Sequence, residues 1–156
     1  MKRTSIKKLL LTLVVAMFLT QPLSILACDI EQGEFCTPGY WKNNNSLKNW
    51  RKTGLNPDDS FQGVFGVNTT FSLTLMDILN TGGGEANALG RHAVAAILNA
   101  SLPDSTYPYT PSEIVTTVSA TLSQYQATLI TGADLSADNS NIESLKDLYE
   151  ALNENQ

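Results

Sequence analysis

The chain has 156 residues, 42% of them hydrophobic and 16% charged, with fifteen acidic and ten basic side chains. Four of the cations, Lys2, Arg3, Lys7 and Lys8, lie at the extreme N-terminus, so the residues from 28 onward hold six cations against fifteen acids, a net of −9. Such a balance lacks the basic face that phosphate neutralisation needs, which excludes nucleic acid and disfavours an anionic membrane surface; the length suits one domain able to bury a core.

The N-terminal cations precede an apolar run, Leu9 to Thr20, that Gln21-Pro22 interrupts, and Ser24-Ile25-Leu26-Ala27 sets small and apolar residues before a cut. The run is too short to span a bilayer, which takes about 20 residues. Residues 1–27 therefore read as a cleaved signal peptide and residues 28–156 as a single extracytoplasmic domain. The cut leaves Cys28 first. Ile25-Leu26-Ala27-Cys28 resembles a loose bacterial lipobox, with Leu26 where such motifs carry a smaller residue, and a lipid on Cys28 would tether the protein to a membrane. The competing reading pairs Cys28 with Cys36, the only other cysteine. It is favoured because lipidation would leave Cys36 unpaired in an oxidising compartment. The bond would pin the new N-terminus and stabilise the fold by ~2–3 kcal/mol.

Further along, Cys36-Thr37-Pro38-Gly39-Tyr40-Trp41-Lys42-Asn43 combines a thiol, a turn dipeptide, two adjacent aromatics and a cation. Lys42, Lys48, Arg51 and Lys52, interleaved with Trp41 and Trp50, give an acidic molecule one basic, aromatic end. A short helix is expected from Ser46 to Lys52, capped by Asn45 or Ser46, with Leu47 and Trp50 on one face and Gly54 and Pro57 as stops. Residues 54–71 read as an ordered loop, with room for a short strand, that tucks Val64, Phe65, Val67 and Phe71 inward. A second helix is expected from Ser72, its cap, to Asn80, and Gly82-Gly83-Gly84 ends it. The alanine-rich run from Glu85 to Ala100 places Leu89, Ala93, Ala96, Ile97 and Ala100 at helical spacing and stops before Pro103. Thr110-Pro111-Ser112-Glu113 is a capping box with proline at the first helical position; Ile114, Val118, Leu122, Tyr125 and Leu129 form the stripe of that helix and Gly132 closes it. A second box, Ser140-Asn141-Ile142-Glu143, opens the last helix, striped by Ile142, Leu145, Leu148, Tyr149 and Leu152, and Asn153 to Gln156 should fray. The fold class is all-α: one small domain of about five helices with an ordered N-terminal arm and loop.

Candidate chemistry is sparse. His92 is the only histidine; one histidine without a free cysteine builds no closed zinc site, so it reads as a boundary residue bonded to a loop. Arg91 is expected to pair with Glu85 or Asp77. Asp58 and Asp59 are adjacent and point apart, which suits a turn better than the facing carboxylates of a glycosidase. Asp134, Asp138, Asn139 and Asn141 offer oxygens to calcium but lack the EF-hand spacing, and loop solvation with helix capping accounts for them. Gly82-Gly83-Gly84 lacks the Lys-Ser/Thr of a phosphate loop and serves a turn. No metal and no cofactor is expected. Tyr40, Trp41, Lys42 and Trp50 are the binding candidates: exposed, the aromatics would stack on sugar or polymer; buried, the reading preferred here, they staple the arm to the helices. Asn44-Asn45-Ser46, Asn68-Thr69-Thr70 and Asn99-Ala100-Ser101 are glycosylation sequons that matter only in a eukaryotic secretory route.

The Cys36–Asn43 segment resembles the C-T-P-G-[FY]-W-K-N-H motif of exported bacterial proteins, mostly of unknown function. Leu79-Asn80-Thr81-Gly82-Gly83-Gly84 and Ala88-Leu89-Gly90-Arg91-His92-Ala93-Val94-Ala95-Ala96 look like a second signature of the same group. The resemblance implies an exported domain that stands alone or within larger surface proteins, and implies no catalytic residue. Asn44 departs from the pattern, which places histidine there. The expectation is an exported cell-surface or secreted structural or binding domain with an unknown cell-envelope or extracellular partner, touching a membrane only if Cys28 is lipidated. The alternative is a hydrolase of an extracellular polymer using carboxylates such as Asp58 and Asp77 near the aromatics.

Overall fold

The computed structural model describes residues 28, 30, 34–67 and 73–154; the proposed signal segment, Asn68, Phe71, Ser72 and the last two residues lie outside them. Among the described residues the chain is all-α, with seven α-helices, a 3-10 turn between the first two and a single isolated bridge between Ser60 and Thr74. The helices are α1 (Pro38–Trp41), α2 (Leu47–Thr53), α3 (Phe61–Phe65), α4 (Leu75–Asn80), α5 (Glu85–Ala100), α6 (Pro111–Thr131) and α7 (Ser136–Asn153), and the 3-10 turn is Asn44–Ser46.

The five expected helices are present as α2 and α4 to α7, and two single-turn helices join them. Pro38-Gly39 opens α1 rather than a plain turn, because Thr37 caps it by accepting from the Tyr40 amide at 3.2 Å and Pro38 stands at the first helical position. The expected loop of residues 54–71 contains α3, which Ser60 caps and Gly66 ends at φ 65°. Phe65 and Val67 are buried as expected and Val64 is half-buried.

Three caps differ from expectation. Ser46 precedes α2 but makes no capping bond; its hydroxyl donates to the Trp41 and Asn43 carbonyls. At α4 the cap is Thr74, in a full capping box with Asp77. Helix α7 begins at Ser136, one turn before Ser140, because the Asp134 carboxylate accepts from the Ser136 amide at 2.9 Å and its hydroxyl at 2.6 Å. Asp138, Asn139 and Asn141 therefore lie within α7, not before it. The box at Thr110 and Glu113 forms as read, and Gly132 closes α6 at φ 67°.

Helix α5 is the hub. It packs most extensively on α7, and also on α4, α6, α1 and α2. Its residues from Ala88 to Asn99, apart from Arg91, are buried. Small side chains make this possible: with Ala88, Gly90, Ala93, Ala95 and Ala96 along it, neighbours approach from several sides. A Cβ on Gly90 would meet Ile78 of α4 at 3.2 Å, so glycine sets how closely those two helices pack. Around the hub the stripes bury Ile114, Val118 and Leu122 of α6 and Ile142, Leu145 and Tyr149 of α7. Leu129 and Leu148, expected in the core, are 49% and 39% exposed.

The capping boxes carry a pH signature. Hydrogen bonds from Thr74 hold Asp77, and those from Thr110 hold Glu113, below their ordinary values of 3.8 and 4.5. Depressed carboxyl pKa values give stability that is complete above those values and is lost as the pH falls through and below them. Glu113→Gln should accordingly flatten the acid limb of a stability–pH curve. Thr110→Ala should cost about 1 kcal/mol at neutral pH, read from the urea midpoint.

Candidate functional site

The Cys36–Asn43 segment is held by one side chain. Asn99, wholly buried near the end of α5, meets the backbone of Cys36 twice: its Oδ1 accepts from the Cys36 amide at 2.9 Å and its Nδ2 donates to the Cys36 carbonyl at 2.9 Å. The same Oδ1 accepts from the Trp41 indole at 3.1 Å, and the same Nδ2 donates to Asn153 Oδ1 at 3.0 Å. All four hydrogen-bonding positions of the amide are filled. Asn153 extends the network, accepting from the Tyr107 hydroxyl at 3.1 Å and donating to the His92 carbonyl at 3.0 Å. Asn153, expected to fray, is wholly buried for this reason. Burial pushes the Tyr107 hydroxyl far above its ordinary pKa, keeping it a donor.

The aromatics complete a clasp. Trp41 and Trp50 are 0% and 1% exposed, crossing edge to face with ring centres 6.0 Å apart. The Trp50 indole donates to the Trp41 carbonyl at 3.0 Å, so both indole N–H groups are satisfied inside the protein. Tyr40 is half-buried, edge-on to Trp41, and its hydroxyl accepts from Asn49. Of the four sequence candidates, only Lys42 stands in the open, with Lys48, Arg51 and Lys52 also exposed. A disulfide joins Cys28 to Cys36, with Cα atoms 5.5 Å apart, directly beside the Asn99 contact. The Cys28 sulfur that a lipid would need is in that bond.

The second signature is also a clasp. Gly83 sits at φ 86°, and Arg91 donates to the carbonyls of Thr81 at 3.2 Å and Gly83 at 2.9 Å. Asn87 donates to the Gly82 carbonyl at 3.1 Å. The glycine loop thus offers its carbonyls to its own helix. Arg91 makes these bonds instead of the expected ion pair: Asp77 caps α4, and Glu85 accepts from the Tyr125 hydroxyl at 3.5 Å. His92 is buried, its Nε2 3.8 Å from Glu150 and its Nδ1 without a partner among the described residues. It faces Glu150 of α7 rather than a loop. Desolvation lowers its pKa, against the pull of Glu150. Glu150 also joins Glu143 and Asp147 around the Lys146 ammonium.

Beside the clasp lies a cleft of about 470 Å³, where Glu34, Phe35, Lys52, Asn99, Leu102 and Asp104 meet. Asp58 and Asp77 are exposed, and neither is among its lining residues; Asp59 accepts from the Asn56 amide at 2.7 Å in a turn. Among the described residues no three His, Cys, Asp or Glu side chains gather as a metal site. Asn44 is exposed, whereas the sequon at Asn99 is inaccessible in the folded chain. The roles of Asn99, Asn153 and Asp104 have no counterpart among the sequence expectations. The available signal was Asn99 itself, an amide on the apolar face of a helix.

Asn99→Ala would orphan the Cys36 amide and the Trp41 indole in the interior, so it should cost about 3 kcal/mol or more in urea unfolding. Trp41→Ala should cost ~3–5 kcal/mol, and the double variant should lose less than the sum, because the two changes remove one shared bond; strict additivity would show that the Trp41–Asn99 bond contributes nothing. Comparison with protein-family models, with curated proteins and with solved structures finds no match to this chain.

Proposed function

We infer that this chain is an exported cell-surface or secreted domain with a structural or binding role. The observation that carries the reading is the disulfide between Cys28, the first residue after the predicted cut, and Cys36, at the start of the aromatic motif. Disulfides persist in oxidising compartments, so a bond at this position fits a chain that has left the cytoplasm. The internal use of the motif supports a non-catalytic role: both indoles and the Asn99 amide bond to other parts of the fold. The resemblance of both signatures to exported bacterial proteins points the same way. Residues 1–27 act in this reading as the signal peptide, and the disulfide favours secretion over lipid anchoring.

A second reading, a hydrolase of an extracellular polymer, draws on the cleft where Glu34, Lys52 and Asp104 converge. Its carboxylates would be Glu34 and Asp104, not Asp58 and Asp77. Release of fragments from purified envelope polymer, abolished by Glu34→Gln or Asp104→Asn, would establish it; an inert wild-type protein would remove it.

The intact mass of the exported protein tests the leading reading. A chain beginning at Cys28 and two hydrogens lighter than its reduced form is expected. A retained N-terminus in a cytoplasmic fraction would overturn it, and a diacylglyceryl adduct on Cys28 would overturn the disulfide and replace secretion by a membrane anchor.

A further inference from the structure

The groove between α6 and α7 contains a carboxylate with no partner. Asp138, in the first turn of α7, is only 7% exposed. Its carboxylate makes no hydrogen bond or ion pair with any described residue; the ion pairs among them involve Lys146 and His92. It faces a cavity of about 500 Å³ shared with Thr117, Thr121 and Gln124 of α6 and Asn141 and Ser144 of α7. The first turn of a helix is a favourable place for an anion, which offsets part of the cost of burying the charge. Of the amides in that turn, the Ser136 N–H is already bound by Asp134.

The lining hydroxyls spend their protons on their own helices. The hydroxyls of Thr117, Thr121 and Ser144 donate to the carbonyls of Glu113, Thr117 and Ser140 at 2.9, 2.9 and 2.8 Å. Their free lone pairs are acceptors. The Gln124 amide nitrogen faces Thr128 Oγ1 at 3.5 Å, leaving its oxygen unengaged. The groove is therefore negative and acceptor-rich, and it matches a ligand that brings several N–H donors and a positive charge. Ala120, Leu145 and Leu148 add an apolar strip to the same groove. A strip of that kind suits methylenes attached to a charged head.

We propose that this groove binds an organic cation, a primary ammonium or guanidinium on an aliphatic stem, with its head on the Asp138 carboxylate and its stem along Ala120, Leu145 and Leu148. A bare metal ion fits less well. The groove supplies one carboxylate, whereas calcium takes six to eight oxygens, and the cavity of about 500 Å³ is far larger than one ion. The chemistry is shared by a free polyamine and by a lysine or arginine side chain of a partner polypeptide. Where the protein resides does not enter the argument, so it stands apart from the export reading.

The test is calorimetric titration of the full-length chain with spermidine, with an acetylated, amidated Gly-Lys-Gly peptide, with its arginine counterpart, and with calcium chloride. Saturable binding of at least one organic cation is expected; spermidine alone would identify a free polyamine, and the peptides alone a side chain. Asp138→Asn should weaken that binding by about tenfold or more. Asn141→Lys, one turn further along an exposed face, should place an internal ammonium beside Asp138, abolish binding and raise the melting temperature. The second variant decides the matter should the first fail to fold. No saturable binding of any organic cation, affinity unchanged in the variants, or saturable binding of calcium alone would overturn the proposal.

Discussion

The fold turns on a single buried amide. Asn99 commits both its protons and both its acceptor positions to two segments far from it in sequence: the arm, at Cys36 and Trp41, and the end of α7, at Asn153. An amide inside an apolar helix hub is costly unless every position is filled, and a half-filled one costs more than an apolar side chain. Full occupancy therefore specifies geometry. The arm has one register in which Cys36 and Trp41 reach the same oxygen, and α7 has one length at which Asn153 arrives beside it. The disulfide reinforces that register from the other side of Cys36.

Both recognisable sequence signatures resolve into this kind of role. In the first, Thr37 and Pro38 start a single helical turn that aims Trp41 inward, and Trp50 and Ser46 both bind the Trp41 carbonyl. In the second, Gly83 supplies left-handed backbone, Arg91 and Asn87 hold the loop carbonyls, and Gly90 lets α4 lie against α5. Residues that look like chemistry in one dimension serve as fasteners in three. The exposed cations of the basic end, Lys42, Lys48, Arg51 and Lys52, surround the first fastener without taking part in it.

Much of the architecture could be read along the chain, for reasons that are local. The Thr110 box, the apolar spacing from Glu85 to Ala100 and the glycine stops at 54 and 132 act within a few residues. The start of α7 differs from the expected one because two polar groups compete there, the Asp134 carboxylate that binds Ser136 upstream and the Ser140 box downstream, and local pattern does not rank them. Helices α1 and α3 are too short to show a period. For Arg91 the sequence suggests an ion pair, because nearby acids are visible along the chain whereas loop carbonyls are not. Asn99 and Asn153 stand 54 residues apart, and no periodicity announces a bond over that distance. The same holds for the cleft around Glu34 and Asp104 and the groove at Asp138, which exist only once helices pack.

The position of Asn153 makes the two ends of the domain interdependent. It is the last residue of the last helix, yet through Asn99 it shares in holding the arm at the opposite end of the chain. The arm's docking loop closes over 63 residues and the second loop over 54, contacts whose entropic cost is met only when distant segments meet. A chain shortened by a single turn of α7 would lack the partner that fills the amide. The arm consequently has no finished docking surface until the end of α7 is in place.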